Sequence, residues 1–190
     1  MRSNAVLAGA IGFVLSVAAN ASEPSADWDL KGLRLGASVD EVKELFPAAA
    51  CEAEPHDAGL VYCLDRRSSL GGTPAFLAVK LLDGQTVNIA LENISYDQMR
   101  AAVPTLIEKF GEPEYSESIA DNVLERRGEK TVVRERHVWT GDNDAVVIAK
   151  PFDWSNERRR VTYSSIILMS EAKQKEWAVR FNAKERATDL

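Results

Sequence analysis

Histidine and cysteine are scarce, with two of each among 190 residues. A zinc site on the two cysteines would need two further Cys or His ligands at matching spacings, and the chain offers only His56 and His137. His56 and His137 are the only imidazoles, and a Ser-His-acid hydrolase would have to take its base from one of them. No G-x-S-x-G, H-E-x-x-H, C-x-x-C or phosphate-loop pattern occurs. Positive charge is also in deficit: 23 Lys and Arg stand against 29 Asp and Glu, a net charge of −6, which argues against a nucleic-acid partner. The expectation is therefore no catalytic residue, no metal and no cofactor.

Long apolar runs are absent except at the start, where "MRSNAVLAGAIGFVLSVAANA" spans Met1–Ala21. One Arg, a short apolar stretch and a closing Ala19-Asn20-Ala21 make a secretory signal, too short to serve as a stable membrane anchor. Ser22 follows Ala21, so the lipid-bearing Cys of a lipoprotein is missing. The expected product is a soluble periplasmic protein of one domain, residues 22–190. In that oxidising compartment Cys51 and Cys63, flanking a Pro-His-Asp-Ala-Gly turn, are expected to form a structural disulfide.

Ser38-Val39-Asp40-Glu41 and Ser95-Tyr96-Asp97-Gln98 both read as capping boxes. Each opens an apolar helical stripe: Val39, Val42, Leu45 and Phe46 in the first, and Met99, Val103, Leu106, Ile107 and Phe110 in the second, with Pro104 expected to kink the latter. Strands are predicted at Leu60–Leu64, Ala75–Leu82, Gln85–Leu91, Thr131–Trp139, Ala145–Lys150 and Val161–Leu168. Asp83-Gly84 is the signal for a two-residue hairpin turn. Glu114–Lys130 reads as a polar connection. Ser170–Lys184 reads as a closing helix with Ala172, Trp177 and Phe181 on its apolar side. The predicted class is α+β, an antiparallel sheet covered on one face by helices, with 28–92 and 93–190 as candidate helix-strand-strand-strand half-units.

The segments "LRLGASVDEVKELFP" (33–47) and "ENISYDQMRAAVPTLIEKFGEP" (92–113) resemble the helix-opening segments of small exported modules of the BamE/SmpA and β-lactamase-inhibitor-protein type. Gly36, Val42 and the Gly111-Glu112-Pro113 ending carry the likeness. BamE-like proteins are lipoproteins, which this chain departs from. The inhibitor type implies binding through a concave sheet and aromatic loops, with no catalytic residues to transfer.

Within "KPFDWSNERRR" (150–160), Phe152 and Trp154 stand beside Arg158, Arg159 and Arg160 in an expected loop. Aromatic plus Arg is the composition of binding hot spots. Two readings stay open: rings that anchor a partner, and rings that fold back onto the core. Arg126-Arg127 reads as a solvated turn, and Asp142-Asn143-Asp144 as hairpin-turn chemistry rather than a calcium loop. The leading expectation is a non-catalytic binding protein that contacts an envelope protein or a small ligand. The alternatives are a periplasmic hydrolase built on His137, Glu135 and Asp144, and an envelope assembly or stress factor. If Cys51 and Cys63 pair, Cys51→Ala with Cys63→Ala should lower unfolding stability by about 3 kcal/mol, read from denaturant midpoints under oxidising conditions. An unchanged midpoint would contradict the pairing.

Overall fold

The computed structural model describes residues 28–188 apart from 126–127, 143 and 157–158, and gives the backbone alone for the rest of 121–131, for 154–162 and for 184–188. The expected signal, 1–21, and Arg158 therefore lie outside the described residues. A ribbon of β1 (Asp29–Leu30) and β2 (Leu33–Arg34) precedes α1 (Val39–Leu45). Then come β3 (Ala50–Glu54), β4 (Asp57–Asp65), a small ribbon of β5 (Ser69–Leu70) and β6 (Thr73–Pro74), β7 (Phe76–Leu82) and β8 (Gln85–Ile94). After α2 (Tyr96–Phe110) follow β9 (Tyr115–Glu125), β10 (Gly128–Thr140), β11 (Ala145–Lys150), β12 (Phe152–Asn156), β13 (Arg159–Thr162), β14 (Ser164–Ser170) and α3 (Glu171–Thr188).

Both capping boxes form. Ser38 Oγ accepts from Glu41 N–H while Glu41 Oε2 accepts from Ser38 N–H at 2.7 Å, and Ser95 and Gln98 repeat the exchange. The Asp83-Gly84 turn has positive φ at both residues, 50° and 82°, the conformation a type I′ hairpin requires. The second helix runs unbroken in assignment through Pro104.

Ten strands form one antiparallel sheet in the order β13-β12-β10-β11-β14-β8-β7-β4-β3, with β9 along the outer side of β10. β11 and β12 are one course interrupted at Pro151, because both pair with β10 in a single register (His137↔Ala149 and Arg134↔Phe152). Likewise β13 and β14 continue each other across Tyr163 (Asp153↔Thr162 and Lys150↔Ser165). The two halves of the chain meet where β14 pairs β8.

Two sequence expectations change here, and a third is borne out. The polar 114–130 segment is strand rather than connection, since β9 fills 115–125 and β10 begins at Gly128. An edge strand needs no apolar alternation when only one of its edges is paired. The 150–160 segment is a β12–β13 hairpin rather than a loop. The expected Cys51–Cys63 disulfide forms, S–S 2.04 Å, between directly paired positions of β3 and β4, and so staples these two strands.

Helices cover both faces, where one was expected. Met99, Leu106, Phe110 and Val42 from α2 and α1 pack on Val79, Ile89, Leu91, Trp139, Val147, Ile166 and Leu168. Side chains alternate across a sheet, so Leu60 and Leu82 face the other way, and the register shift at Lys80/Leu81 turns Val87 to the same side; all three meet Trp177 and Phe181 of α3. The expected contact from Ala172 does not form; it is exposed. Trp28 closes the first core edge-on to Phe110, with ring centroids 5.0 Å apart.

A single arginine clamps α3 down. Arg180 donates to Asp57 from Nε and Nη2 (2.8 and 2.6 Å) and to Asp83 from Nη1 (2.9 Å), joining the helix to two hairpin ends. Gly59 leaves room for this, since a Cβ there would run into Asp83 and Arg180. Lys80 lies 4.6 Å from the Trp177 ring centroid, and burial holds its ammonium below the usual lysine range.

Arg180→Ala is expected to release α3, raising amide exchange across 171–183 at least about tenfold while β7 and β8 stay protected. Unchanged exchange would mean that the Trp177 packing suffices. The bonds from Arg180 hold the Asp57 carboxyl below its ordinary range. Its contribution is therefore present at neutral pH and is lost as pH falls through that lowered value, below about 4. An acid-induced rise in α3 exchange should follow, smaller in Asp57→Asn.

Candidate functional site

The face carrying α3 continues, beyond that helix, onto the second half of the sheet. There the register sets Arg134 between Ile119 and Phe152, Arg136 opposite Glu117, and Lys150 opposite Ser165. These side chains point away from the α1–α2 core because Trp139, Val147, Ala149 and Ile166 occupy the alternate positions facing it. Together with Tyr163 they line a hollow of about 340 Å³.

Arg134, Arg136 and Lys150 are exposed, Phe152 is half-buried at the floor, and Tyr163 is 63% exposed. Tyr115, 48% exposed at the adjoining end of β9, donates to Glu117 Oε2 at 3.0 Å. That bond is the leading reason its phenol is held above the usual tyrosine range. The hollow thus combines three cations and two acidic residues, Glu117 and Glu135, with aromatic rings on an otherwise acidic chain, and none of its described lining residues is a nucleophile paired with a base.

Of the predicted binding residues, the structure brings Phe152 into this hollow. Trp154 lies on β12 at a register position opposite Val132 and Val161, and Arg159 and Arg160 lie on β13 opposite Asn156 and Ser155. Their side chains, like all of Arg158, fall outside the described residues. Arg134, Arg136 and Tyr163 were missed in the sequence. Arg134 and Arg136 sit in the expected strand "VVRERHVW", but only long-range register shows them beside Phe152.

The hydrolase cluster is only partly assembled. Ser116 Oγ lies 3.0 Å from His137 Nδ1, and Glu135 Oε2 lies 3.6 Å from His137 Nε2. The second distance exceeds a hydrogen bond, and Nε2 has no partner among the described residues. Glu135 instead accepts from Tyr96 Oη at 2.6 Å and faces Arg100 Nε at 3.5 Å. Burial, then that bond to Glu135, raises the Tyr96 phenol above its usual range. This network ties β10 to the start of α2.

Asp144 is remote, in the turn after the Thr140↔Val146 pair, where its carbonyl accepts from Glu171 N–H at 3.0 Å. Neither Ser116 nor His137 lines the hollow on the opposite face or the clefts beside Trp28, Tyr62 and α2. The Trp28 cleft, about 610 Å³, is walled by Glu41, Glu44, Asp142, Arg34, Ser170 and apolar residues, and reaches the first described residue. His56 is exposed in the β3–β4 turn. Among the described residues no three His, Cys, Asp or Glu side chains converge as metal ligands, and no helix is long and apolar enough to cross a membrane.

Comparison of the chain with protein-family models, with curated proteins and with solved structures finds no match. Tyr163→Ala should shift unfolding stability by less than about 0.5 kcal/mol, because an exposed ring contributes little to a core. A loss above about 2 kcal/mol would show that the ring serves stability instead.

Proposed function

We propose that this protein is an exported, non-catalytic binding protein of the cell envelope that holds a partner protein on the open face of its second half. One observation carries the reading: exposed Arg134, Arg136, Lys150 and Tyr163 gather around half-buried Phe152 on a face that α3 leaves bare. Rigid aromatic area framed by planar cations is the usual make-up of an interface anchor. On a chain of net charge −6 these cations also select for acidic groups on whatever docks there.

The signal-like Met1–Ala21 segment and the Cys51–Cys63 disulfide support periplasmic residence. The order α1-β3-β4-β7-β8 followed by α2-β9-β10-β11-β14, with both helices opened by capping boxes, supports two tandem helix-led units whose fourth strands pair at the centre. An aromatic-bearing sheet face on such a scaffold agrees with what the resemblance to inhibitor-type modules implies.

The test is affinity capture from periplasmic and outer-membrane extract with the oxidised protein. The double variant Phe152→Ala/Tyr163→Ala should lose a stoichiometric partner that the parent retains, with its unfolding midpoint little changed. Equal recovery by both proteins would remove this face from the reading.

A further inference from the structure

The two long edges of the sheet are built differently. At one edge β3 has five residues, a register irregularity at Ala53/Glu54 and a disulfide to its neighbour. Short length and bulges of this kind prevent an edge from accepting another strand. At the other edge β9 has eleven residues, and its pairing with β10 runs from Tyr115↔Val138 to Glu125↔Gly128 without a shift. Its sequence, YSESIADNVLE, contains no Pro, Lys or Arg to blunt it. Among the described residues no strand pairs with its outer side.

The direction of its free backbone groups follows from the neighbouring ladder. Glu135 N–H donates to Pro151 O and Gly141 N–H to Ala145 O, at 2.9 and 2.8 Å. Odd-numbered residues of β10 therefore turn their backbone groups toward β11 and β12, and even-numbered ones toward β9. Those even residues pair with odd residues of β9, as in Arg136↔Glu117 and Arg134↔Ile119. The N–H and C=O groups of Ser116, Ser118, Ala120, Asn122 and Leu124 are left directed outward.

The geometry points to β9 as a strand-addition site that takes an extended, basic segment of a partner protein. Main-chain bonds to those five residues supply the register of such docking. Charge names the chemistry of the occupant: β9 carries Glu117, Asp121 and Glu125 and no cation, on a chain of net charge −6. A second copy would set the same carboxylates beside one another on two acidic chains, which makes it the poorer occupant. The inference rests on the reading of the protein as a binding module, and it adds a backbone-directed contact to the side-chain contact at Phe152.

The test uses the full oxidised protein and a synthetic eleven-residue peptide alternating Lys with Val or Thr, followed by residue-resolved amide exchange. A matched peptide carries the same charges but has every amide N-methylated, so that neither of its edges can pair. The unmodified peptide should slow exchange at Ser116, Ser118, Ala120, Asn122 and Leu124 at least tenfold and leave Glu117 and Ile119 as they were, while the methylated peptide does neither. Ala120→Pro removes one outward N–H without touching the β9–β10 ladder, and should weaken peptide binding at least tenfold.

No protection, or equal protection by both peptides, overturns strand addition. Protection that rises with protein concentration in the absence of peptide also overturns it, by showing the edge filled by a second copy. These outcomes are separable from the face reading. Loss of the envelope partner in Phe152→Ala/Tyr163→Ala with no peptide protection on β9 would keep the face and discard the edge, and the reverse pattern would do the opposite.

Discussion

The antiparallel seam between β8 and β14 is the constraint on which the rest of the structure depends. Leu91, Ile89, Ile166 and Leu168 are essentially buried along it, each worth about 1.5–3 kcal/mol when removed from water. Without the seam, α1 and α2 would each sit over a separate small sheet, and each half would bury a smaller share of its apolar surface. With it, one core runs from Phe46 through Met99 to Trp139. The Trp139 indole N–H, which donates to Gly111 O at 2.7 Å, fastens the end of α2 to β10.

The seam also determines what is left open. It joins β14 to β8 only between Ser164 and Met169, whereas β9, β10, β12 and β13 continue past Tyr163 and Pro151 without a first-half strand beside them. The helix α3 returns over the first half because Arg180 reaches Asp57 and Asp83 there, and Trp177 meets Leu60, Leu82 and Val87. Among the described residues, the uncovered face around Phe152 and the unpaired side of β9 are consequences of one arrangement. Buried apolar area is concentrated at the seam, and the strands beyond it carry Arg134, Arg136 and Glu117.

What could be read from the sequence was what is local. A capping box links a side chain to a backbone group three residues away, and Asp83-Gly84 sets its own dihedral angles, so both were legible without knowledge of the sheet. The edge strands were not. β9 shows no apolar alternation and its residues 115–120 are exposed or half-buried, β3 is acidic and short, and Pro151 divides a course that the register reveals as continuous. The side of the sheet chosen by α3 rests on an ion pair across more than a hundred residues, which no local pattern records. The candidate site was half legible: Phe152 stood out by composition, but its neighbours Arg136 and Tyr163 come from other strands. The tie of His137 to Ser116 and of Glu135 to Tyr96 shows the same limit, since the proximity suggested in sequence serves packing of α2.

The most direct measurement of the central claim is site-specific photocrosslinking in the cell that makes the protein, with the photoreactive residue placed once at Tyr163 and once at Val179. Both positions are strongly exposed, 63% and 70%, but Val179 lies on α3 and Tyr163 on the open face. A discrete adduct at Tyr163 and none at Val179 is the result predicted for a partner-binding face. Adducts of equal yield at both positions, or at Val179 alone, would contradict it.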